Sequence, residues 1–296
     1  MTILLIVSDI WKLENNHMIA SDLRIKYDSL VKSLVISVFS AILAYLLVFL
    51  YTNFATLYFA YDFDIPALIN LQGIKILTDS SMDDWSRDAL VTILLSKPIA
   101  ATIVGIISLI ILMIGTKKPI SIIILLFWLN VFAFNTAFGI IIDDAIAKSG
   151  TYQVALAMDI GIFTILVLSF LMISILYKIG MMNGRLIINS FPHQNLTYFK
   201  NRVVFFMVIF IIPWFMVMIY TYLSGGASVP ISEMIKNLPV LVLLLPFLTA
   251  EKIKNVGFKY IPTVKHSKID LFLSIIFVVL SIVLIFVINN GISITV

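Results

Sequence analysis

The residues that could do chemistry in this sequence are a few ionisable side chains inside long apolar stretches. Lys97 and Asp159 each lie eight residues into such a stretch, after Ala89 and Thr151 respectively. A helical rise of about 1.5 Å per residue puts each charge about 12 Å below the start of its helix. Because charges are expensive inside a membrane, this equal depth predicts an ion pair between Lys97 and Asp159. The pair would either hold two helices together or line a functional polar cavity.

A second group of polar residues lies near the same ends of neighbouring apolar stretches. Its members are Thr52, Asn53, Thr56, Asn135, Asp143 and Asp144. With Lys97 and Asp159 they are predicted to form a buried polar cluster in the outer half of a helix bundle. Two interpretations stay open: hydrogen bonds that hold helices together, or a polar cavity that opens to the outside and binds a ligand or partner.

The composition determines the class of protein that must position these residues. The chain has 296 residues, of which 61% are hydrophobic and 12% are charged, and its mean hydropathy is +1.10. Soluble domains are about 45–50% apolar and about 25% charged, so a soluble enzyme and a disordered chain are both excluded. The sequence has no cysteine and only three histidines. A disulfide and a thiolate metal site are excluded, and no metal or other cofactor is predicted.

The apolar stretches predict an all-α polytopic membrane protein with six to seven transmembrane helices. The candidates are Val31–Tyr58, Ala89–Gly115, Pro119–Ile142, Tyr152–Tyr177, Val203–Tyr222, Leu238–Ala250 and Leu271–Asn289. Six reach or approach the length of about 20 residues that a crossing needs. Leu238–Ala250 is short and carries two prolines, so it reads as a kinked crossing, a re-entrant segment or an interfacial one. We assign residues 1–30 to an N-terminal tail and 31–296 to one membrane domain.

The distribution of Lys and Arg predicts the orientation. With seven crossings, fifteen of the twenty basic residues fall on the side of the N-terminus and four on the other side. Cytoplasmic loops carry the excess of basic residues, so the N-terminus is predicted to be cytoplasmic, in a plasma membrane such as a bacterial inner membrane. The same bias accounts for the basic pI of about 9.1, so the basic residues do not indicate a nucleic-acid partner. The partners we predict are the lipid bilayer and a membrane protein.

The predicted external loop, residues 61–88, contains its own structural signals. Leu68–Leu71 and Ile74–Leu77 flank Gln72-Gly73, a pattern that predicts a small external β-hairpin. A two-stranded hairpin is marginal in water, so we expect it to lie on the membrane surface. Ser80–Asp84 has the form of a helix N-cap followed by first-turn acids, which predicts that the second helix begins there.

The order of these segments resembles the intramembrane zinc metalloproteases of the site-2 protease family. The likeness covers residues 31–144 and rests on order and spacing. In that family H-E-x-x-H lies on one span, a short β-rich stretch follows, the next span opens with a small residue, Gly and Pro, and the third carries an Asn eight residues before a metal-binding Asp. Here Pro98 follows Lys97, and Asn135 precedes Asp143 by eight.

The departures from the family pattern determine what the resemblance implies. Thr52 and Thr56 stand where the two His ligands belong, and Asn53 stands where the general-base Glu belongs. Zinc hydrolysis needs three protein ligands and a base for the bound water, and Asp143 alone matches. The resemblance therefore implies a non-catalytic relative without zinc, in which the ammonium of Lys97 takes the place of the missing cation.

Two functions stay open from the sequence. The first is a non-catalytic membrane protein that binds a partner membrane helix or peptide through a polar groove in the outer half of the bundle. The second is a small-solute or ion-coupled transporter in which Lys97 and Asp159 are the switching charges. Transporters often have broken helices at matched positions, and the sequence shows a single interrupted segment, Leu238–Ala250.

Overall fold

The computed structural model describes residues 27–77, 85–114, 118–191, 196, 198–224, 237–250 and 268–294. Six of the described helical segments are long and apolar enough to cross a membrane, which confirms the predicted fold class. They are Leu30–Asp62, Arg87–Met113, Ile120–Ala147, Ile162–Ser190, Phe199–Leu223 and Lys268–Asn289. A shorter apolar helical segment covers Pro239–Leu248.

Ten α-helices and three strands make up the described part of the chain. The helices are α1 (Tyr27–Asp62), α2 (Arg87–Met113), α3 (Ile120–Phe134), α4 (Ile140–Ala147), α5 (Thr151–Ala157), α6 (Ile162–Ser190), α7 (Phe199–Phe206), α8 (Ile212–Ser224), α9 (Pro239–Leu244) and α10 (Lys268–Asn289). The strands are β1 (Ala67–Asn70), β2 (Gly73–Ile76) and β3 (Ile292–Ile294). One π-helical turn, Asn135–Gly139, joins α3 to α4, and another, Met207–Ile211, joins α7 to α8. A 3-10 turn, Leu245–Leu248, follows α9.

Hydrogen bonds between helices show which of them run in the same direction. The indole N–H of Trp128 donates to the Ser37 hydroxyl (2.8 Å), which donates to the carbonyl of Ile209 (2.6 Å). Each of these residues lies eight to ten residues after the start of its own helix, so α1, α3 and the α7–α8 segment are parallel. Around this contact the core is aromatic, because rings from α3 and the α7–α8 segment stack on one another, as Phe127 and Phe210 do at 4.7 Å.

The same reasoning orients the remaining long helices. The Asn130 amide of α3 donates to the carbonyl of Gly105 near the end of α2, so α2 is antiparallel to α3. The Asn183 amide near the end of α6 donates to Asn130, so α6 is antiparallel to α3 as well. Asp270 in the first turn of α10 accepts from Ser121 at the start of α3, so these two helices begin together. Four segments therefore run one way and two run the other.

The short segment lies on the return of the chain across the bundle. The α8 helix ends near the strands, yet α10 begins at the other end of the bundle. The Pro239 ring lies against Gly139, Phe247 and Ala250 lie against Gly184, and the Arg202 guanidinium binds the carbonyls at the end of this segment. α9 and its 3-10 turn lie in the half of the bundle away from the strands, and the three readings of Leu238–Ala250 stay predictions.

The predicted hairpin is present but belongs to a larger sheet. β1 pairs antiparallel with β2, with Asn70 opposite Gly73, and Leu71 and Gln72 form the turn one position earlier than predicted. Gly73 has a φ of +124°, which only glycine adopts without strain. The sequence did not reveal that β3, near the C-terminus, pairs with the other edge of β1. The predicted two-stranded hairpin is thus one part of a three-stranded sheet.

The chain around the sheet covers one end of the bundle. The inward side chains of β1, Ala67 and Ile69, pack with Leu57 and Ala60 of α1 and with Ile288 of α10. We call this the sheet end of the bundle, defined by β1, β2 and β3. The opposite end is where α1, α3, α7 and α10 begin.

The structure corrects the predicted span Tyr152–Tyr177, which is two helices. α5 ends at Ala157, and α6 begins at Ile162. Between them Asp159 adopts a left-handed conformation with a φ of +58°, which an α-helix does not accommodate. At the start of α2 the Ser86 hydroxyl accepts a hydrogen bond from the Ala89 N–H and caps the helix. The cap predicted at Ser80 and Ser81 lies outside the described residues.

Candidate functional site

The three polar residues of α1 are bound within their own helix. The hydroxyl of Thr52, the amide of Asn53 and the hydroxyl of Thr56 each donate to a carbonyl one turn earlier, at 2.8 to 3.2 Å. All three side chains are buried. The hydroxyl of Ser96 on α2 lies 3.0 Å from that of Thr56. The backbone of α1 therefore satisfies these three side chains, and the contact between Thr56 and Ser96 joins α1 to α2.

The next part of the predicted cluster is centred on the first π-helical turn. Lys97 follows Ser96 on α2 and is partly buried, and α2 packs against the turn that begins with Asn135. Asn135 is buried, and its side-chain oxygen lies 2.6 Å from where a Cβ on Gly139 would stand. A side chain at position 139 would therefore displace the Asn135 amide. The π-helical turn and the glycine together create the space in which this amide is held.

Asp143 lies on α4, directly after the π-helical turn, and is only 5% exposed. Lys97, Asn135 and Asp143 each have at least one interaction partner within the protein. α2 and α4 each pack against the π-helical turn that carries Asn135, and the grouping of the three side chains stays a prediction. A basic, an amide and an acidic side chain grouped in apolar surroundings can hold and orient polar groups.

Asp144 belongs to the connection between helices. Its carboxylate accepts from the Thr151 N–H at 2.8 Å, the Thr151 hydroxyl at 3.0 Å and the Ser149 hydroxyl at 3.1 Å. Gly150 has a φ of +48°, and the same carboxylate occupies the place where its Cβ would be. Asp144 thus caps the N-terminus of α5, where a negative charge is favourable.

The structure does not confirm the predicted burial of Asp159. This residue is exposed and lies in the turn between α5 and α6. The prediction assumed one uninterrupted helix, in which position 159 would lie two turns below the membrane surface. Because the helix is broken there, Asp159 stays at the sheet end of the bundle and outside the predicted group of Lys97, Asn135 and Asp143.

Sequence analysis missed a chain of buried amides that joins three helices. The Asn183 amide on α6 donates to the Asn130 side-chain oxygen at 2.6 Å, and the Asn130 amide donates to the Gly105 carbonyl at 3.0 Å. Both asparagines are fully buried. The available signal was an isolated Asn near glycines in an apolar helix. Asn183 lies three residues after Gly180 and one residue before Gly184.

A second missed residue is Asp270, which is 1% exposed in the first turn of α10. Its Oδ1 accepts from the Ser121 N–H at 3.1 Å and from the Ser121 hydroxyl at 3.0 Å. The carboxylate therefore lies at the N-termini of two helices, α3 and α10, and both helix dipoles favour its negative charge. The signal for it was an acid at the boundary of an apolar stretch.

The surroundings of α6 differ greatly along its length. Near the opposite end, Gly180 and Gly184 lie in contact with the α9 segment. Nearer the sheet end, Ile165 is the buried side chain of Ile162–Ile175, whereas Phe163 and Phe170 are 76% and 72% exposed. We call Ile162–Ile175 the open half of α6.

Neither a metal cluster nor a known family is indicated for this region. Among the described residues, no three His, Cys, Asp or Glu side chains are grouped so that they could hold a metal ion. No protein-family model matches the chain, and no curated protein or solved structure matches it either.

Proposed function

We propose that this protein is a non-catalytic, multi-pass membrane protein that binds a transmembrane helix or membrane-bound peptide of a partner along the open half of α6. Six apolar helices are compatible with a multi-pass membrane protein. The partner and the binding role are the proposal.

The observation that carries the proposal is the contrast between α6 and α10. The α10 helix is also exposed on one side, yet Asp270, Ser274, Phe277 and Ser281 anchor its other side along most of its length. The open half of α6 has one buried anchor, Ile165, in fourteen residues. Packing contacts stabilise helices against one another in lipid, so a half-helix with few contacts leaves its apolar side chains for another helix. We call the proposed contact the partner groove.

A charged residue beside the open half of α6 gives the partner groove specificity. The α6 helix packs against α4, which carries Asp143, and against the π-helical turn, which carries Asn135. Asp159 lies exposed just before α6 begins. Asn135 and Asp143 are buried and have interaction partners within the protein, so the exposed Asp159 is the side chain that a basic residue near the end of a partner segment would complement.

The non-catalytic part of the proposal rests on Thr52, Asn53 and Thr56. Their donor groups are engaged by carbonyls of α1, and hydroxyl and amide groups are poor replacements for the imidazole and carboxylate ligands of catalytic zinc. Descent from a protease-like core is part of the same proposal and is supported by the order and spacing of residues 31–144. Elemental analysis tests it, since stoichiometric zinc in the purified protein would contradict a metal-free relative.

Site-specific photo-crosslinking in native membranes tests the binding role. A benzoyl-phenylalanine at Phe170 should give a discrete adduct whose peptide, identified by mass spectrometry, contains a transmembrane segment. The matched control is Phe286 on α10, which is 66% exposed. Asp159→Asn should weaken the adduct at position 170. Lipid adducts alone at position 170, or the same peptides at both positions, would contradict the proposal.

Helix discontinuities favour a second candidate, an ion-coupled transporter. The first π-helical turn lies against the start of α9, and α9 covers only half of the bundle, an arrangement found where transporters bind ions and solutes. In this candidate Lys97, which is partly buried in α2, remains a switching charge. Asp159 does not, because it is exposed.

Proteoliposomes test this second candidate. Vesicles loaded with pyranine and K⁺ are given valinomycin, which makes their interior negative. Proton-coupled conduction should acidify the interior, and Lys97→Met should abolish the signal, whereas Lys75→Met in β2 should keep it. Acidification no faster than in empty vesicles would exclude proton coupling.

A further inference from the structure

Charge is distributed unevenly between the two ends of the bundle. At the opposite end the described side chains include the basic residues Lys32, Lys118, Arg185, Lys200, Arg202 and Lys268. One acid with a described side chain, Asp270, lies at that end, and it is buried against Ser121. The described surface of this end is therefore positive, and by the distribution of Lys and Arg it is the predicted cytoplasmic side.

Arg202 is the one member of this group that is built into the protein at several points. Its Nε donates to the Leu196 carbonyl at 2.9 Å, and its Nη1 donates to the carbonyls of Leu248 at 3.0 Å and Ala250 at 2.8 Å. These bonds use three of the five N–H groups of a guanidinium. The acceptors are neutral carbonyls, so the bonds hold the group in place without neutralising its charge.

The two N–H groups on Nη2 define the ligand chemistry. They point about 120° apart on a fixed, partly buried planar group, so each can donate a charge-assisted hydrogen bond to a phosphate oxygen. The Arg202 position near the start of α7 places the guanidinium at the end of a membrane helix, where phospholipid headgroups lie.

The neighbouring side chains suit a lipid rather than a soluble anion. Tyr198 directly precedes α7, and Phe199 is its first residue. Their side chains are 54% and 65% exposed, and aromatic side chains are enriched at the membrane interface. Lys200 is exposed two residues before Arg202. Arg185 is exposed beside Gly184, which contacts Ala250, an acceptor of the Arg202 hydrogen bonds. Two arginines thus flank the end of the α9 segment.

We propose that the phosphate of an anionic phospholipid headgroup binds to Arg202, with Arg185 and Lys200 adding charge and the two aromatic side chains contacting the upper acyl chains. This headgroup site lies at the other end of the bundle from the partner groove on α6 and does not depend on it. The positive charge at this end selects anionic over zwitterionic lipids.

Native mass spectrometry of the purified full chain, with phosphatidylglycerol and phosphatidylcholine of the same acyl chains, tests the site. The wild type should retain phosphatidylglycerol selectively. The double variant Arg185→Gln/Lys200→Gln changes exposed side chains only, and its apparent affinity for phosphatidylglycerol should fall about tenfold or more. The matched control, Lys75→Gln/Arg87→Gln, removes the same charge at the sheet end and should retain the lipid as the wild type does.

Two further arms separate lipid from other outcomes. Arg202→Lys keeps the charge but loses the Nη2 donors and the planar group that the carbonyls hold in place, so retention should fall while the far-ultraviolet circular dichroism stays unchanged. Soluble glycerol phosphate should fail to compete with phosphatidylglycerol at equal concentration. Equal loss in both double variants, equal retention of the two lipids, or full competition by glycerol phosphate would overturn the lipid site.

Discussion

The two halves of α6 differ in their residues and in their surroundings. The open half is apolar apart from three hydroxyl residues, whereas the packed half also contains Lys178, Asn183 and Arg185. From Gly180 to Ile188 the helix is packed, because two glycines bring the α9 backbone into contact and Asn183 bonds to Asn130. In the open half, the hydroxyls of Ser169 and Ser174 return to carbonyls of their own helix. In a membrane, apolar character does not separate core from surface. Small residues and interhelical amides are what distinguish the packed half from the open half.

The strongest test of this comparison enlarges a glycine in the packed half. A Cβ on Gly180 would overlap the Leu243 backbone carbonyl, which has no flexible side chain to move aside. Gly180→Ala should therefore push α9 away and lower the free energy of unfolding by about 1–3 kcal/mol. Reversible unfolding in mixed detergent micelles measures this change.

Gly161→Ala, directly before the open half of α6, is the matched control. A Cβ there would meet no atom within 4 Å, so stability should change by less than about 0.5 kcal/mol. Equal effects of the two substitutions would remove the proposed distinction between the halves.

The amide chain should contribute the next largest effect. Asn130→Leu leaves the Asn183 amide without its acceptor, whereas the Gly105 carbonyl keeps the Ser108 hydroxyl, and the substitution should cost about 1–3 kcal/mol. Asn183→Leu in the same background should cost less than it does alone, because the pair is already lost. A double-mutant cycle of unfolding free energies measures the coupling, and strict additivity would show that the two amides do not act together.

At the junction of α3 and α10, replacing a carboxylate should have a somewhat smaller effect. Asp270→Asn removes the charge that caps two helix N-termini and should lower stability by about 1–2 kcal/mol. The control is Asp88→Asn, an acid that is exposed in the first turn of α2. Thermal melting of the two variants side by side checks the expectation, which fails if both lower the melting temperature equally.

The smallest effect on stability is expected in the open half of α6. Phe170→Ala removes a ring that is 72% exposed, so the isolated protein should unfold within about 0.5 kcal/mol of the wild type. Association with the partner captured at this position should nevertheless be lost in co-purification. A large loss of stability without loss of association would indicate that this half is packed within the chain itself.

Much of the fold could be predicted because its signals are local. Six crossings follow from apolar length, and the hairpin at Leu68–Leu77 follows from alternation around Gln72-Gly73. Within the candidate site, Lys97, Asn135 and Asp143 could be identified because each is a polar residue in apolar surroundings. Asp159 was placed wrongly, because a left-handed residue that breaks a helix is not recognisable from hydropathy.

The sequence by itself determined that this chain is a helical membrane bundle and that polar residues within its apolar stretches are costly, since both follow from the transfer of side chains and peptide groups into lipid. The tertiary structure alone decided that β3 completes the sheet, that Asp270 joins two helix N-termini and that Asn183 meets Asn130. These contacts join residues that are far apart in the chain. Their partners depend on how helices pack, a property that no local pattern of residues encodes.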